Sequence, residues 1–375
     1  MNRLTPFLSN KFKFWAFVSM VLLVFVHGYN LNLRYLQPWT TPDEPLTVTT
    51  FIEYLLANGL FRFRIPMLFV ISGYLYALHD QTPNNERLGK RVRTLLVPYL
   101  IWSALGIALV YAFELFPYTR QLVIDSHVVQ IDNERMQVHQ YHWYETIACW
   151  LFFPVSYQLW FIRVLLFYNI AYPAIRWCVI HQQWRWVFFG FVTLLWLSTA
   201  GFIIAEGEGL LFFSLGVWIQ KTNFSIKSPA RWLKPFPWMV IFLSFAMIKT
   251  VLAFKGVDWL GSSVHPIITL LHKFTVVSGL VACWFGLDKC VVWFMKQNWF
   301  VWLTSFSFII YATHAPLVAI LINGMFQWLN FVNGYRLMAF ALLPMAIIVG
   351  SVAIGGVLRT FTPKFYSLLT GGRGV

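Results

Sequence analysis

About ten separate stretches of this chain are apolar for close to twenty residues each, and that spacing leaves few folds open. They run roughly over 14–33, 58–79, 94–116, 157–179, 186–202, 204–220, 237–254, 266–287, 299–321 and 337–358. A helix rises about 1.5 Å per residue, so a run of this length matches the roughly 30 Å hydrocarbon core of a bilayer. Backbone N–H and C=O groups find no water there, and only helices or closed barrels satisfy them. The runs are continuous rather than alternating, which selects helices. The expected fold is all-α: a polytopic membrane protein with about ten transmembrane helices.

Charge sorts along this pattern. Hydrophobic residues make up 59% of the chain and charged residues 11%, outside the range of soluble domains. A net charge of +14 would point to nucleic acid in a soluble chain; here no nucleic-acid role is expected, because most of the 28 Lys and Arg fall on alternate connections. The positive-inside bias puts both termini in the cytoplasm, while most acidic residues fall on the outer side. No small-residue cleavage site follows the run 14–33, so it is expected to stay as a helix. Cys149, Cys178, Cys283 and Cys290 form no CxxC pair, and neither a disulfide framework nor a metal site is expected. The chain 1–375 reads as one transmembrane domain, with 117–156 as its long outer loop.

An ionisable residue inside a bilayer costs at least a few kcal/mol and marks function by default. The segment RFRIPMLFVISGY sets Arg62 and Arg64 near the outer start of the second run. His27 comes late in the first run, Arg163 early in the fourth, and His314 roughly 20 Å from the inner end of the ninth. The topology brings these to similar depth on four helices, which implies one polar cavity. Plainer readings stand beside this one. A His in an apolar helix serves as an interhelical hydrogen-bond partner, and arginines near a helix end snorkel to headgroups. Arg163 also suits a structural bridge to Glu206 or Glu145. Ser72-Gly73-Tyr74 either packs helices closely or leaves room for a thin ligand. Lys249, His272 and Lys273 are further intramembrane polar groups without an assigned role. On the inner side, ERLGKRVRTLLVP carries Arg87, Lys90, Arg91 and Arg93, which suit either positive-inside charge or a phosphate clamp. Pro98 then frees a helix carbonyl that needs another partner.

Taken in order, these pieces resemble the acyltransferase-3 family of integral membrane acyltransferases. The first run ends in VLLVFVHGYN, with His27 followed by Gly28. The second carries Arg62, Ile65, Pro66, Phe69, Ser72, Gly73 and Tyr74 at the family's spacing. A basic stretch leads into Leu95 to Tyr99; QLWFIRVLL follows, with Trp160; SFSFIIYATHAPL, with His314, comes late. Two positions depart from the pattern. Ala16 stands eleven residues before His27 where the family often has Arg, and the basic pair is Lys90-x-x-Arg93 rather than Arg-x-x-Arg.

The resemblance implies an O-acyltransferase of the bacterial cytoplasmic membrane. Its donor would be acyl-CoA, by family default acetyl-CoA, used as co-substrate with no bound cofactor. Its acceptor would be a sugar hydroxyl on a cell-surface or exported glycan or a lipid-linked precursor. His27 would serve as general base or transient acyl carrier, Arg62 and Arg64 would polarise the thioester, and His314 would orient His27 or the acceptor. Arg163, Ser72, Gly73, Tyr74 and Trp160 would support the cavity, and Lys90, Arg91 and Arg93 would hold the CoA phosphates. The outer loop, with Asp125, Asp132, Glu134, Glu145, Tyr141, Trp143 and Tyr144, is the expected acceptor-facing element. A multi-span transporter using the same polar cavity is the rival reading; the absence of an internal repeat disfavours it.

Overall fold

The computed structural model describes residues 4–29, 36–132, 135–201 and 206–374. Among them there is no strand, only an isolated bridge between Gly201 and Glu206. The chain passes through α1 (Pro6–His27), α2 (Val48–Tyr54), α3 (Arg64–Leu78) and α4 (Asn84–Arg91). Next come α5 (Val97–Glu114), α6 (Pro117–Ser126), α7 (Trp143–Leu151), α8 (Trp160–Ile170) and α9 (Tyr172–Ile180). Then follow α10 (Gln182–Leu197), α11 (Gly207–Lys221), α12 (Pro235–Leu260), α13 (Val264–Gly286) and α14 (Asp288–Phe294). The last are α15 (Asn298–Thr304), α16 (Ser307–Leu329), α17 (Tyr335–Phe361) and α18 (Pro363–Thr370).

Among the described residues six stretches are long and apolar enough to cross a membrane, or seven if the bent pair Tyr157–Ile170 and Tyr172–Ile180 is one span. One of the six, Pro235–Gly286, holds both α12 and α13, which turn at Gly261–Ser263. The runs expected at 186–202 and 204–220 form α10 and α11, of 16 and 15 residues. At about 1.5 Å per residue each is shorter than a perpendicular span. The run expected at 157–179 bends by 64° between α8 and α9. Pro173, in the first turn of α9, has no N–H to offer the Asn169 carbonyl, which accepts from the Tyr76 hydroxyl at 3.3 Å instead.

Two compact units share the chain. The first comprises Met1–Ser19, Gln37–Arg91 and Val164–Thr304; the second comprises Met20–Leu36, Val92–Arg163 and Ser305–Val375. In the first, α3 and α11 pack backbone to backbone. A Cβ on Gly73 would lie 2.0 Å from the Phe213 carbonyl oxygen, and one on Gly216 would lie 2.1 Å from that of Val70. Small residues at these two positions are what let the helices approach so closely. Below α3, Asp80 ties four elements together. It meets Arg87 of α4 at 3.2 Å, Arg176 of α9 at 2.6 Å and Lys221 of α11 at 2.6 Å. Burial pushes its carboxyl up, but Lys221, Arg176 and the Tyr172 hydroxyl outweigh this and hold it below its ordinary range. The unit also carries a partly open apolar pocket of about 320 Å³ whose walls include Phe12, Met67, Tyr74, Trp196, Trp232 and Trp284.

In the second unit the 117–156 segment folds as α6, a short 3₁₀ turn Val138–Gln140 and α7. Val110, Leu122, Val123, Val128, Val129, Val138, Val155 and Ile320 form its buried core. Buried Glu114 fixes the turn by accepting from the backbone N–H groups of Val138 at 2.6 Å and His139 at 3.1 Å. The carbonyl that Pro98 deprives of a helical donor is that of Thr94, and Arg373 near the C-terminus donates to it at 2.8 Å.

Candidate active site

Within the second unit His27 and His314 come together. His27 ends α1, and its ring stacks on that of His314 with centroids 5.3 Å apart at 28°. The Tyr157 hydroxyl lies 3.1 Å from His27 Nδ1, its ring edge-on at 5.0 Å. His314 is wholly buried, and its Nδ1 lies 3.1 Å from the Ile310 carbonyl. A carbonyl only accepts, so the neutral His314 ring carries its proton on Nδ1 and its lone pair on Nε2. Two stacked imidazoles repel when both are charged, so the pair suits holding and passing one proton. An imidazole held by a hydroxyl and backed by a second imidazole is a general-base arrangement.

The supports of this pair are local. Pro316 interrupts α16, and Ala315 leaves helical geometry at φ −114° and ψ 139°. That break strips carbonyls of their helical donors, and Gln158 supplies replacements: its Nε2 donates to Ala312 O at 3.0 Å and Ala315 O at 2.9 Å. In return Tyr311 donates its hydroxyl to Gln158 O at 2.6 Å. Thr313 pairs with Ser351 of α17 at 2.6 Å. The residues before and after His314 are therefore fixed from both sides, and Gln158 stands next to Tyr157 in one 3₁₀ turn. Trp160, half-buried, begins α8. Arg163, also half-buried, meets the Tyr99 hydroxyl and acts on Tyr311. Its suggested bridge to Glu145 is not formed; Glu145 pairs with Arg135.

Arg62 and Arg64 belong to the first unit. The sequence suggests one continuous helix over 58–79, but the structure breaks it. Leu55–Leu60 is a π-helical turn, and α3 starts only at Arg64. Pro66, in the first turn of α3, marks that start. The break frees carbonyls that the cations take up: Arg64 donates to Phe61 O at 2.7 Å and Lys249 to Asn58 O at 2.5 Å. Lys249 also lies 3.1 Å from His272 Nδ1. Arg64, Lys249, His272 and Lys273 are all buried. Glu208 acts on Arg62, Arg64 and Lys273, while Glu206 acts on Lys273.

Several expectations change here. Gly73 does not leave room for a ligand, because the Phe213 backbone fills that space; close packing accounts for it. Ser72 is half-buried beside it, and Tyr74 lines the apolar pocket with its ring edge-on to Phe12 at 5.4 Å. Of the basic cluster, Arg87 is structural, held between Tyr76 and Tyr172 at 4.0 and 4.6 Å. Lys90 is exposed, Arg91 half-buried over Tyr76 at 5.1 Å, and Arg93 exposed in the π-helical turn Val92–Leu96. In the segment 117–156 Asp132 and Glu145 are held by Arg135, and Asp125 by Gln121 at 2.8 Å. Tyr141 donates to Val129 O, Trp143 and Tyr144 are exposed, and Glu134 lies outside the described residues. Tyr157, Gln158, Asp80 and Arg373 are the residues sequence reading passed over. Pro316 and Pro98 were the available signals for Gln158 and Arg373, since each proline frees a carbonyl that needs a donor.

A multi-span helical protein with a half-buried imidazole stacked on a buried one has the features of a membrane enzyme. Comparison with known proteins names the group: the family model for an acyltransferase domain, acyltransferase-3, matches residues 13–355. The chain belongs to this family and is a membrane acyltransferase. It is 23% identical over 353 residues to the succinoglycan biosynthesis protein ExoH of Rhizobium meliloti (strain 1021), covering 94% of this chain and 89% of that protein. No solved structure matches.

Proposed function

We propose that the protein moves an acyl group from cytoplasmic acyl-CoA to a sugar hydroxyl of a cell-surface or exported glycan, in a bacterial cytoplasmic membrane. Acetyl-CoA is the donor the resemblance implies. The similarity to a protein named for succinoglycan biosynthesis supports a glycan acceptor. The observation that carries the chemistry is the His27–Tyr157–His314 constellation.

In this reading His27 takes the proton of the acceptor hydroxyl as its oxygen attacks the thioester carbonyl carbon. A C–O bond forms and a tetrahedral oxyanion develops, a charge that a cation or hydrogen-bond donor at the carbonyl oxygen stabilises. The C–S bond then breaks, and the sulfur takes the proton from His27. The products are the sugar ester and the CoA thiol, with atoms and charge in balance. Tyr157 and His314 are positioning residues for His27. Arg163 supports them through Tyr99 and Tyr311. Lys90 and Arg93, both exposed, with half-buried Arg91 have the role of holding the CoA phosphates. Trp143 and Tyr144 offer exposed aromatic faces to a sugar.

Mass spectrometry of surface glycans from cells with and without the protein tests this reading. The expected result is an O-acyl mass present only with the protein and absent with His27→Ala. Identical glycans in all three strains would overturn it.

A further inference from the structure

The apolar pocket of the first unit plays no part in the reaction above. Its walls come from α3, α11, α13 and the segment 222–234 that joins α11 to α12, and all of them are aliphatic or aromatic side chains. The segment 222–234 carries two kinds of residue at the pocket's edge. Phe224, Ile226, Trp232 and Leu233 line the space. Trp284 of α13 donates its Nε1 proton to Ile226 O at 2.9 Å, which pins the segment to the wall. Lys227 and Arg231 stand between these residues and Lys234 follows them; all three are exposed. Among the described residues none of the three makes a side-chain hydrogen bond or an ion pair. No acidic residue occurs between Glu208 and Asp258 to pair with them. Charges nearby are already matched: Lys221 meets Asp80 at 2.6 Å, and Asp288 meets buried Lys11 at 2.5 Å. Trp232 is 66% exposed, its ring centroid 6.5 Å from that of Phe224, so an indole marks the boundary between apolar space and charge.

A space open to a bilayer fills with hydrocarbon, because unfilled walls forfeit their dispersion contacts. Apolar walls alone do not tell one lipid from another, since the chains are alike. Cations at the rim do, each favouring an anionic headgroup by roughly fivefold. We propose that the pocket binds one chain of an anionic phospholipid such as phosphatidylglycerol, whose phosphate is held by Lys227, Arg231 and Lys234. Charge complementarity selects this occupant. An apolar helix of a partner protein would fill the pocket and leave three cations unmatched, whereas a lipid with a phosphate satisfies wall and rim together. No step of acyl transfer depends on this site, so the proposal stands or falls apart from that reaction.

The test is native mass spectrometry of the purified full-length protein extracted from vesicles that hold dioleoylphosphatidylglycerol and dioleoylphosphatidylcholine in equal amounts. These two lipids share their chains and differ in the headgroup. The tightly held lipid of wild type should be phosphatidylglycerol over phosphatidylcholine by at least about fivefold, the effect of one cation. A triple variant with Lys227→Gln, Arg231→Gln and Lys234→Gln should hold the two alike. Val277→Phe, which turns a larger side chain into the pocket from α13, should carry one lipid fewer. Equal retention of the two lipids by wild type overturns the proposal. So does a preference that survives the triple substitution, or lipid retention unchanged in Val277→Phe. A dimer that carries no lipid assigns the face to a second copy and overturns the proposal as well. The thermal transition checks that each variant folds; the three Gln substitutions lie on exposed positions, so should Val277→Phe not fold, wild type against the triple variant decides.

Discussion

Removing one oxygen from Tyr157 isolates its contribution to His27. Tyr157→Phe keeps the ring that packs edge-on at 5.0 Å and deletes only the hydroxyl 3.1 Å from Nδ1. Tyr157 is buried, so water does not readily take the place of the lost group. In the ground state the bond joins neutral partners and is worth about 0.5–1.5 kcal/mol. As His27 takes the acceptor proton it becomes an imidazolium, and a bond to a charged group is worth about 1.5–3 kcal/mol. The transition state therefore loses more than the ground state. The difference is about 1–1.5 kcal/mol, so at about 1.4 kcal/mol per tenfold kcat should fall roughly 5- to 12-fold, while KM for the acyl donor stays within about twofold. The assay is release of CoA thiol by purified protein with a glycan acceptor, run for wild type, Tyr157→Phe, His27→Ala and the double variant. In the His27→Ala background the second substitution should add nothing, because its partner is gone. An additive loss, or a loss confined to KM, would refute the positioning role and make Tyr157 a packing residue.

Three further outcomes follow from the packing. Gln158→Leu leaves the Ala312 and Ala315 carbonyls without their donor and should destabilise the protein by about 2–4 kcal/mol in denaturant titrations. Gly73→Ala must move the Phe213 backbone and should cost about 1–3 kcal/mol, whereas Gly89→Ala, with nothing near its added methyl, should be neutral or slightly stabilising. For pH, Asp80 is depressed in the folded state, so its contribution is full above the unfolded carboxylate range and is lost as pH falls below about 4. Wild type should lose stability in that acid window. Asp80→Asn should lose roughly 2–3 kcal/mol at neutral pH, less than a fully buried pair because Arg176 reaches solvent, and should show a flatter acid limb.

Periodicity and run length made the helices legible, because a bilayer demands them. The likeness in depth of His27 and His314 was legible for the same reason, since rise per residue converts position into height. Tyr157 was not: a tyrosine at the start of an apolar run reads as part of an aromatic belt, and only the 3₁₀ turn at Tyr157–Leu159 directs it to His27. The break before Arg64 was missed because Gly59 and Asn58 are tolerated in helices, and the π-turn arises from packing, with Gly59 against Ala246. Asp80 was hidden because its partners lie on three other helices, 7, 96 and 141 residues away in sequence. Such long-range pairs leave no local periodicity. For Arg87 the sequence offers positive-inside charge or a phosphate clamp, whereas the fold buries it between two tyrosines.

The central claim is that His27 carries the proton in acyl transfer. Purified wild type and His27→Ala, each shown to be folded by its thermal transition, are given radiolabelled acyl-CoA (both the acetyl and the succinyl forms) and glycan acceptor. Labelled glycan should form with wild type from at least one donor and stay at background with His27→Ala. Equal labelling by a folded His27→Ala protein would contradict the account.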